Sequence, residues 1–146
     1  RSKWVQIGLE EDSVSFDWSA RSSHGAQKVK TAHLIAKSNG VWVGNECLRA
    51  IELLSQEMGS PLQVKALTED GATVKPKQKV ATLTGSPDTI LIFERTMINL
   101  TGYTSGIATQ TRALVDIIDS MSFKNPPRIT PTRKTLPGYR DLAIQR

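Results

Sequence analysis

The sequence predicts a small α+β domain that runs into the opening of an α/β layer. Three observations carry this expectation. Residues 29–85 interleave short β-type runs with one amphipathic helix. From Ser86 onward the apolar residues fall into long helical spacing. Near the end, the β-favouring pair Ile129-Thr130 leads through Pro137-Gly138, a turn signal, into a further helix start.

Residues 1–28 give the least regular pattern. Trp4, Val5, Ile7 and Leu9 alternate enough for a strand, and Glu10-Glu11-Asp12-Ser13 follows as an acidic, solvated loop. Phe16-Asp17-Trp18-Ser19 mixes aromatic and polar groups, and Ser22-Ser23-His24-Gly25 is loop chemistry. The signal sharpens at Val29. Val29, Thr31, His33, Ile35 and Lys37 form one face of a strand, while Lys30, Ala32, Leu34 and Ala36 form the other. Ser38-Asn39-Gly40 turns the chain into a short return strand, Val41-Trp42-Val43.

Asn45 then reads as the N-cap of a helix in which Cys47, Leu48, Ile51, Leu54 and Met58 share a face, and Gly59 ends it. Short strands follow at 62–66, 73–74 and 80–84, punctuated by Asp70-Gly71 and Lys75-Pro76-Lys77. Ser86-Pro87 reads as a helix start with Ser86 as the cap. Ile90, Phe93, Met97 and Leu100 place a stripe along that helix, and Thr104-Ser105-Gly106 is expected to break it. A second helix is expected from Ile107 to Met121, with Ile107, Thr111, Leu114, Val115 and Ile118 inward, stopped by Asn125-Pro126-Pro127. A strand at 128–132 and a final helix start follow. The character of the chain changes near residue 85. With the next helix closing the first unit, the division is residues 1–102, an N-terminal α+β domain, and 103–146, the start of the second.

Composition narrows the function classes. The chain carries 19 Lys and Arg against 14 Asp and Glu, a net charge of +5. No apolar run approaches the roughly 20 residues that span a bilayer, so no membrane partner is expected. A single cysteine, Cys47, excludes an internal disulfide and fits a reducing, cytoplasmic setting. With one Cys and two His, no metal site is expected within these residues. The opening on Arg1 and the close in mid-pattern at Leu142-Ala143-Ile144 suggest a piece of a larger protein.

The excess charge is concentrated. Residues 128–146 hold Arg128, Arg133, Lys134, Arg140 and Arg146 against Asp141, a net of +4. Arg133 and Lys134 would face opposite ways on an ideal strand, but at a strand end both can turn toward one ligand. Arg offers a planar fork and Lys a point charge, and Thr132 and Thr135 add hydroxyls. The plain alternative is two solvated surface cations. Arg95, on the helix beside Glu94, is a further candidate, with a solvated helix-surface arginine as its alternative. Ser105-Gly106 at a helix N-terminus could receive an anion or could serve close packing. His24, His33 and Cys47 have no paired acid or nucleophile, and no catalytic residue is assigned.

At this point the residues resemble a known family. Phe93-Glu94-Arg95-Thr96-Met97-Ile98-Asn99-Leu100, Thr104-Ser105-Gly106-Ile107-Ala108-Thr109-Gln110-Thr111 and Thr132-Arg133-Lys134-Thr135-Leu136-Pro137-Gly138-Tyr139-Arg140 stand in the order and spacing of quinolinate phosphoribosyltransferase, also called nicotinate-nucleotide pyrophosphorylase (carboxylating). The third segment is the specific one. Gly40-Val41-Trp42-Val43-Gly44 and residues 71–85 resemble its N-terminal domain. Glu11-Asp12 and Asp17 resemble its acidic opening motif, but Trp18-Ser19 departs from it, and no role is carried over there.

The resemblance implies an α+β N-terminal domain packed on an α/β barrel, incomplete in this chain. It implies a homodimer or higher homo-oligomer with active sites shared between subunits. The reaction would join quinolinate to phosphoribosyl pyrophosphate, with Mg2+, releasing carbon dioxide and pyrophosphate and making nicotinate mononucleotide for NAD synthesis. Arg95 would reach the neighbouring subunit's quinolinate, and Thr132, Arg133 and Lys134 would hold its carboxylates. The family's Gly-rich segment ending in His-Arg, its downstream Lys and the acids serving ribose and Mg2+ would follow Arg146. The chain is therefore expected to be inactive alone.

Other readings are a paralogue linked to molybdate transport, a non-catalytic remnant, a biotinyl or lipoyl carrier and a nucleic-acid-binding module. The hairpin at 69–80 suggests the carrier, but no bracketed lysine supports it. Nucleic acid is not an expected partner, because only Tyr139 lies near the cations to stack on bases.

Overall fold

A computed structural model of the chain describes residues 3–12 and 29–144. The aromatic segment at 16–19, the loop with His24 and the terminal Arg146 lie outside the described residues. The elements in order are α1 (Lys3–Glu11), β1 (Lys30–Ile35), β2 (Gly40–Val41), α2 (Asn45–Glu57), β3 (Gln63–Ala66), β4 (Thr73–Val74), β5 (Lys79–Gly85), α3 (Pro87–Ser120) and the one-turn α4 (Arg140–Ala143). Helices and antiparallel strands are segregated as the α+β reading requires.

β5 is the centre of a three-stranded sheet in the order β1-β5-β3, antiparallel throughout, and β2 pairs with β4 in a separate two-stranded ribbon. The register sets Ala32 opposite Leu83 and Val64 opposite Leu83 on the other side, so small and branched side chains share the inner face. The expected alternation of β1 holds: Ala32, Leu34 and Ala36 turn inward, and Thr31, His33 and Ile35 turn out. A register shift between Leu34 and Ile35 lets both Val80 and Ala81 of β5 be buried.

The core lies between that sheet and three helices. Ile51 of α2, Leu83 of β5 and Phe93 of α3 are almost wholly enclosed, and Cys47 sits among them as a small apolar side chain. α2 ends as its glycine implies. Gly59 has φ +73, its N–H donates to Gln56 O (3.0 Å), and Ser60 N–H donates to Ser55 O (3.1 Å), the paired closure of a left-handed helix stop. The start of α2 differs from expectation. Gly44, not Asn45, is the cap residue, and the Asp70 carboxylate supplies the missing acceptor, taking Gly44 N–H (2.8 Å) and Asn45 N–H (3.1 Å) from across the fold. Asn45 is thereby released to accept Trp42 Nε1–H (3.0 Å) and donate to Thr68 O (3.0 Å).

Four further expectations are corrected. Residues 3–11 form a helix rather than a strand: Val5 and Leu9, four apart, are the buried pair, and Glu10 and Glu11 belong to its last turn rather than to a loop. The break expected at Thr104-Ser105-Gly106 is absent. α3 continues for 34 residues, about 50 Å at 1.5 Å per residue. Its expected cap is correct, since Ser86 Oγ accepts Thr89 N–H (3.1 Å) with Pro87 in the first turn. Of the residues expected inward beyond Thr109, Thr111 and Leu114 are exposed, Leu114 at 52%, while Val115 and Ile118 are half-buried. Finally, residues 128–132 run without strand pairing, because no described strand lies alongside to complete their hydrogen bonds.

Candidate functional site

The continuity of α3 has a local cause. Thr104, Ser105 and Thr109 do not interrupt the helix; they dock β2 and the two residues after it onto that helix. Val43 N–H donates to Ser105 Oγ (3.0 Å) and Val41 N–H to Thr109 Oγ1 (2.9 Å), while the Thr104 and Ser105 hydroxyls both donate to Val43 O. The hydroxyls of Thr101, Thr104 and Thr109 also bond back to helix carbonyls at Met97, Leu100 and Ser105. Side chains thus satisfy a ribbon edge that has no third strand. Without a helix start at Ser105, there are no free N–H groups there to receive an anion. Gly106, whose absent Cβ would meet nothing within 4 Å, serves no close packing either.

Past this docking line the chain returns along α3 and leaves an open cavity of ≈ 1220 Å³ between the helix and residues 129–144. One wall is Tyr103, Ile107 and Thr111 of α3. The other includes Thr132, Lys134 and Thr135. The cationic segment is held as a tight turn. Lys134 N–H donates to Thr132 Oγ1 (3.1 Å), and Arg133 O accepts both Thr135 N–H (3.1 Å) and the Arg140 guanidinium (3.0 Å). Tyr139 N–H closes the following turn on Leu136 O (3.0 Å), with Gly138 at φ +81. Tyr139 then meets Tyr103 edge to face, ring centres 5.4 Å apart, and Leu142 is buried in the core.

The four candidate residues are placed unequally. Thr132 and Lys134 line the cavity, whereas Arg133 does not, and its guanidinium makes no hydrogen bond or ion pair with the described residues. Arg95 is exposed on α3. At about 100° per residue it lies about 180° around the helix from Thr104, so it points away from the cavity of its own chain. Arg140, counted from sequence as one more free cation, is engaged on a carbonyl. Sequence reading missed Trp4, whose indole N–H donates to Gly138 O (2.8 Å). No local signal marks that contact, because 134 positions separate the partners.

Burial pushes the Cys47 thiol up to about 12, which makes it a core group rather than a nucleophile. Among the described residues no three His, Cys, Asp or Glu side chains gather to hold a metal. No helix among them is long and apolar enough to cross a membrane.

Comparison with known proteins decides the family. Residues 17–105 match the family model described as "Quinolinate phosphoribosyl transferase, N-terminal domain". The chain belongs to the quinolinate phosphoribosyl transferase family. A Synechocystis relative named probable nicotinate-nucleotide pyrophosphorylase [carboxylating] is 37% identical over 140 residues, covering 95% of this chain and 44% of the relative. The Mycobacterium leprae nicotinate-nucleotide pyrophosphorylase [carboxylating] is 34% identical, over 94% of this chain and 47% of its own length. Among solved structures, the nicotinate-nucleotide pyrophosphorylase of Francisella tularensis superposes with TM-score 0.80 at 28% identity, covering 97% of this chain and 47% of that one. The chain thus spans a little under half the length of these family members, and the mixed α+β fold is theirs.

Proposed function

We propose that this chain carries the N-terminal half of a quinolinate phosphoribosyltransferase. The full enzyme transfers phosphoribosyl from phosphoribosyl pyrophosphate to quinolinate with decarboxylation. The products are nicotinate mononucleotide, carbon dioxide and pyrophosphate, in cytoplasmic NAD synthesis. The observation that carries this is the placing of Thr132 and Lys134 together on one wall of an open cavity in a chain of this family. Quinolinate is a dianion, and an ammonium beside a hydroxyl suits one of its carboxylates. Arg133, next in the chain, supplies a second cation at the rim. Arg95 faces away from this cavity, which supports a role at the site of a neighbouring copy in a homodimer or higher homo-oligomer.

The described residues supply anion binding and no general acid, base or metal ligand set. In this reading Mg2+, acting with phosphoribosyl pyrophosphate, would take its ligands from the part of the family's length that this chain does not span, and the chain alone would not turn over. The test is calorimetric titration with quinolinate and, separately, with nicotinate, which has one carboxylate fewer. Saturable binding of quinolinate, tighter than nicotinate, is the expected result. Equal or absent binding of the two would overturn the reading.

A further inference from the structure

We infer that Trp4 is a positioning residue for the anion-binding turn, acting through Gly138 from the opposite end of the chain. The inference rests on the function proposed above and deepens it. Residues 121–134 are exposed throughout, and the turn they lead into has no sheet to hold it. Its internal bonds, from Thr132, Arg133 and Arg140, fix its shape but do not fasten it to the domain. Fastening occurs at the far end, where Trp4 Nε1–H meets Gly138 O at 2.8 Å, Tyr139 packs on Tyr103 and Leu142 enters the core.

Of these three, the Trp4 contact joins the most distant positions, 134 apart, and the helix that carries Trp4 has little freedom. Val5 and Leu9 are 1% and 7% exposed, and a Cβ on Gly8 would stand 2.6 Å from Thr96 Cγ2, so α1 lies tight against α3. The indole is therefore a donor carried on a rigid mount. Gly138, at φ +81, sits where the chain leaves the Thr132–Lys134 region, and its carbonyl direction sets the exit of that loop. A turn ordered before the ligand arrives loses less conformational entropy on binding, and that difference appears as affinity.

The test compares the wild-type chain with Trp4→Phe and with Trp4 replaced by β-(3-benzothienyl)alanine. The latter keeps the bicyclic shape and lacks only the N–H. Three readouts are taken: melting temperature, amide hydrogen exchange at Lys134 and Tyr139, and quinolinate affinity by calorimetry. Positioning predicts faster exchange at both amides and about two- to tenfold weaker binding in the benzothienyl variant, at a melting temperature close to wild type. Unchanged exchange and unchanged affinity in that variant overturn the inference and leave the proposed function standing. If the wild-type chain does not bind quinolinate, the proposed function fails. The exchange arm then decides separately whether Trp4 holds the turn. If Trp4→Phe unfolds while the benzothienyl variant stays folded with wild-type exchange, Trp4 is a packing residue and the inference falls.

Discussion

Thr109 Oγ1 accepts the N–H of Val41 at 2.9 Å while donating to Ser105 O at 2.7 Å. One hydroxyl therefore bridges a ribbon edge and the middle of a long helix, and one turn earlier Ser105 accepts the N–H of Val43 while donating back to its carbonyl. Replacing either hydroxyl leaves a part-buried backbone N–H without its acceptor. Ser105→Ala and Thr109→Val are each expected to lower stability by about 1–3 kcal/mol. Because both anchor the same short strand, the double variant should cost less than the sum. Thermal and urea melts of the four species check this, and an additive pair would show that the two hydroxyls act independently.

Gly102 and Gly106 lie inside the same helix, exposed, with nothing within 4 Å of a built Cβ. Glycine in a helix interior costs roughly 0.5–1 kcal/mol relative to alanine. Gly106→Ala should therefore raise stability by about that amount, measured as a rise in melting temperature. A fall would mean that the helix needs the freedom to bend there.

This part of the chain also shows where sequence reading succeeds and where it stops. The cap of α3 and the stop of α2 were legible, because Ser86-Pro87 and Gly59 act on bonds three to five residues away; the start of α2 was not, because its acceptor is the remote Asp70. The strands between residues 30 and 85 were legible as well, since Ala32 and Leu34 alternate against a buried neighbour. Thr104-Ser105-Gly106 misled because local propensity counts those residues as helix breakers. Tertiary bonds to Val43 instead give their hydroxyls a use that keeps the helix whole. At α1 the same four apolar residues fit a period of two or of 3.6, and only the burial of Val5 and Leu9 against α3 decides between them. In the site, the order of Thr132, Arg133 and Lys134 was visible. Which of them faces the cavity depends on Arg140 and Trp4 bonding back to the turn, and no local pattern records that.

Asp70 replaces a cap that Gly44 lacks, accepting two N–H groups at the start of α2. Asp70→Ala is expected to destabilise by about 1–2 kcal/mol. Asp70→Asn, which keeps an acceptor oxygen but loses the favourable charge at the helix start, should cost less. Chemical denaturation of both variants tests this ordering, and equal losses would show that α2 requires the carboxylate's charge and gains nothing from a neutral acceptor oxygen.

Burial holds the Cys47 thiol neutral in the fold up to about pH 12, against an ordinary value of 9.0. The folded chain therefore holds its proton where the unfolded chain has released it, so unfolding is favoured as pH rises. This contribution is fully present below pH 9 and is lost between pH 9 and 12, at up to about 1.4 kcal/mol per pH unit. Cys47→Ala removes it, so the stability difference between wild type and variant should change across that window and be flat below it. A parallel pair of pH–stability curves would show that the thiol ionises equally in both states.

Lys134 lines the cavity and Arg133 does not, although the two are adjacent and equally charged. If charge alone set affinity, Lys134→Ala and Arg133→Ala would weaken quinolinate binding alike. A hydrogen bond to a charged group is worth about 1.5–3 kcal/mol, whereas a solvated cation at the rim contributes mainly a screened field. Lys134→Ala is therefore expected to lose about tenfold or more in affinity at any salt concentration. Arg133→Ala should lose only a few-fold, and that loss should vanish as salt is raised toward 0.5 M, where the screening length is about 4 Å. Calorimetric titrations at two ionic strengths separate the cases. The reverse order, with Arg133 dominant and salt-insensitive, would require the guanidinium to swing into the cavity when the dianion binds, releasing the turn from the bond that Arg140 now makes to its carbonyl.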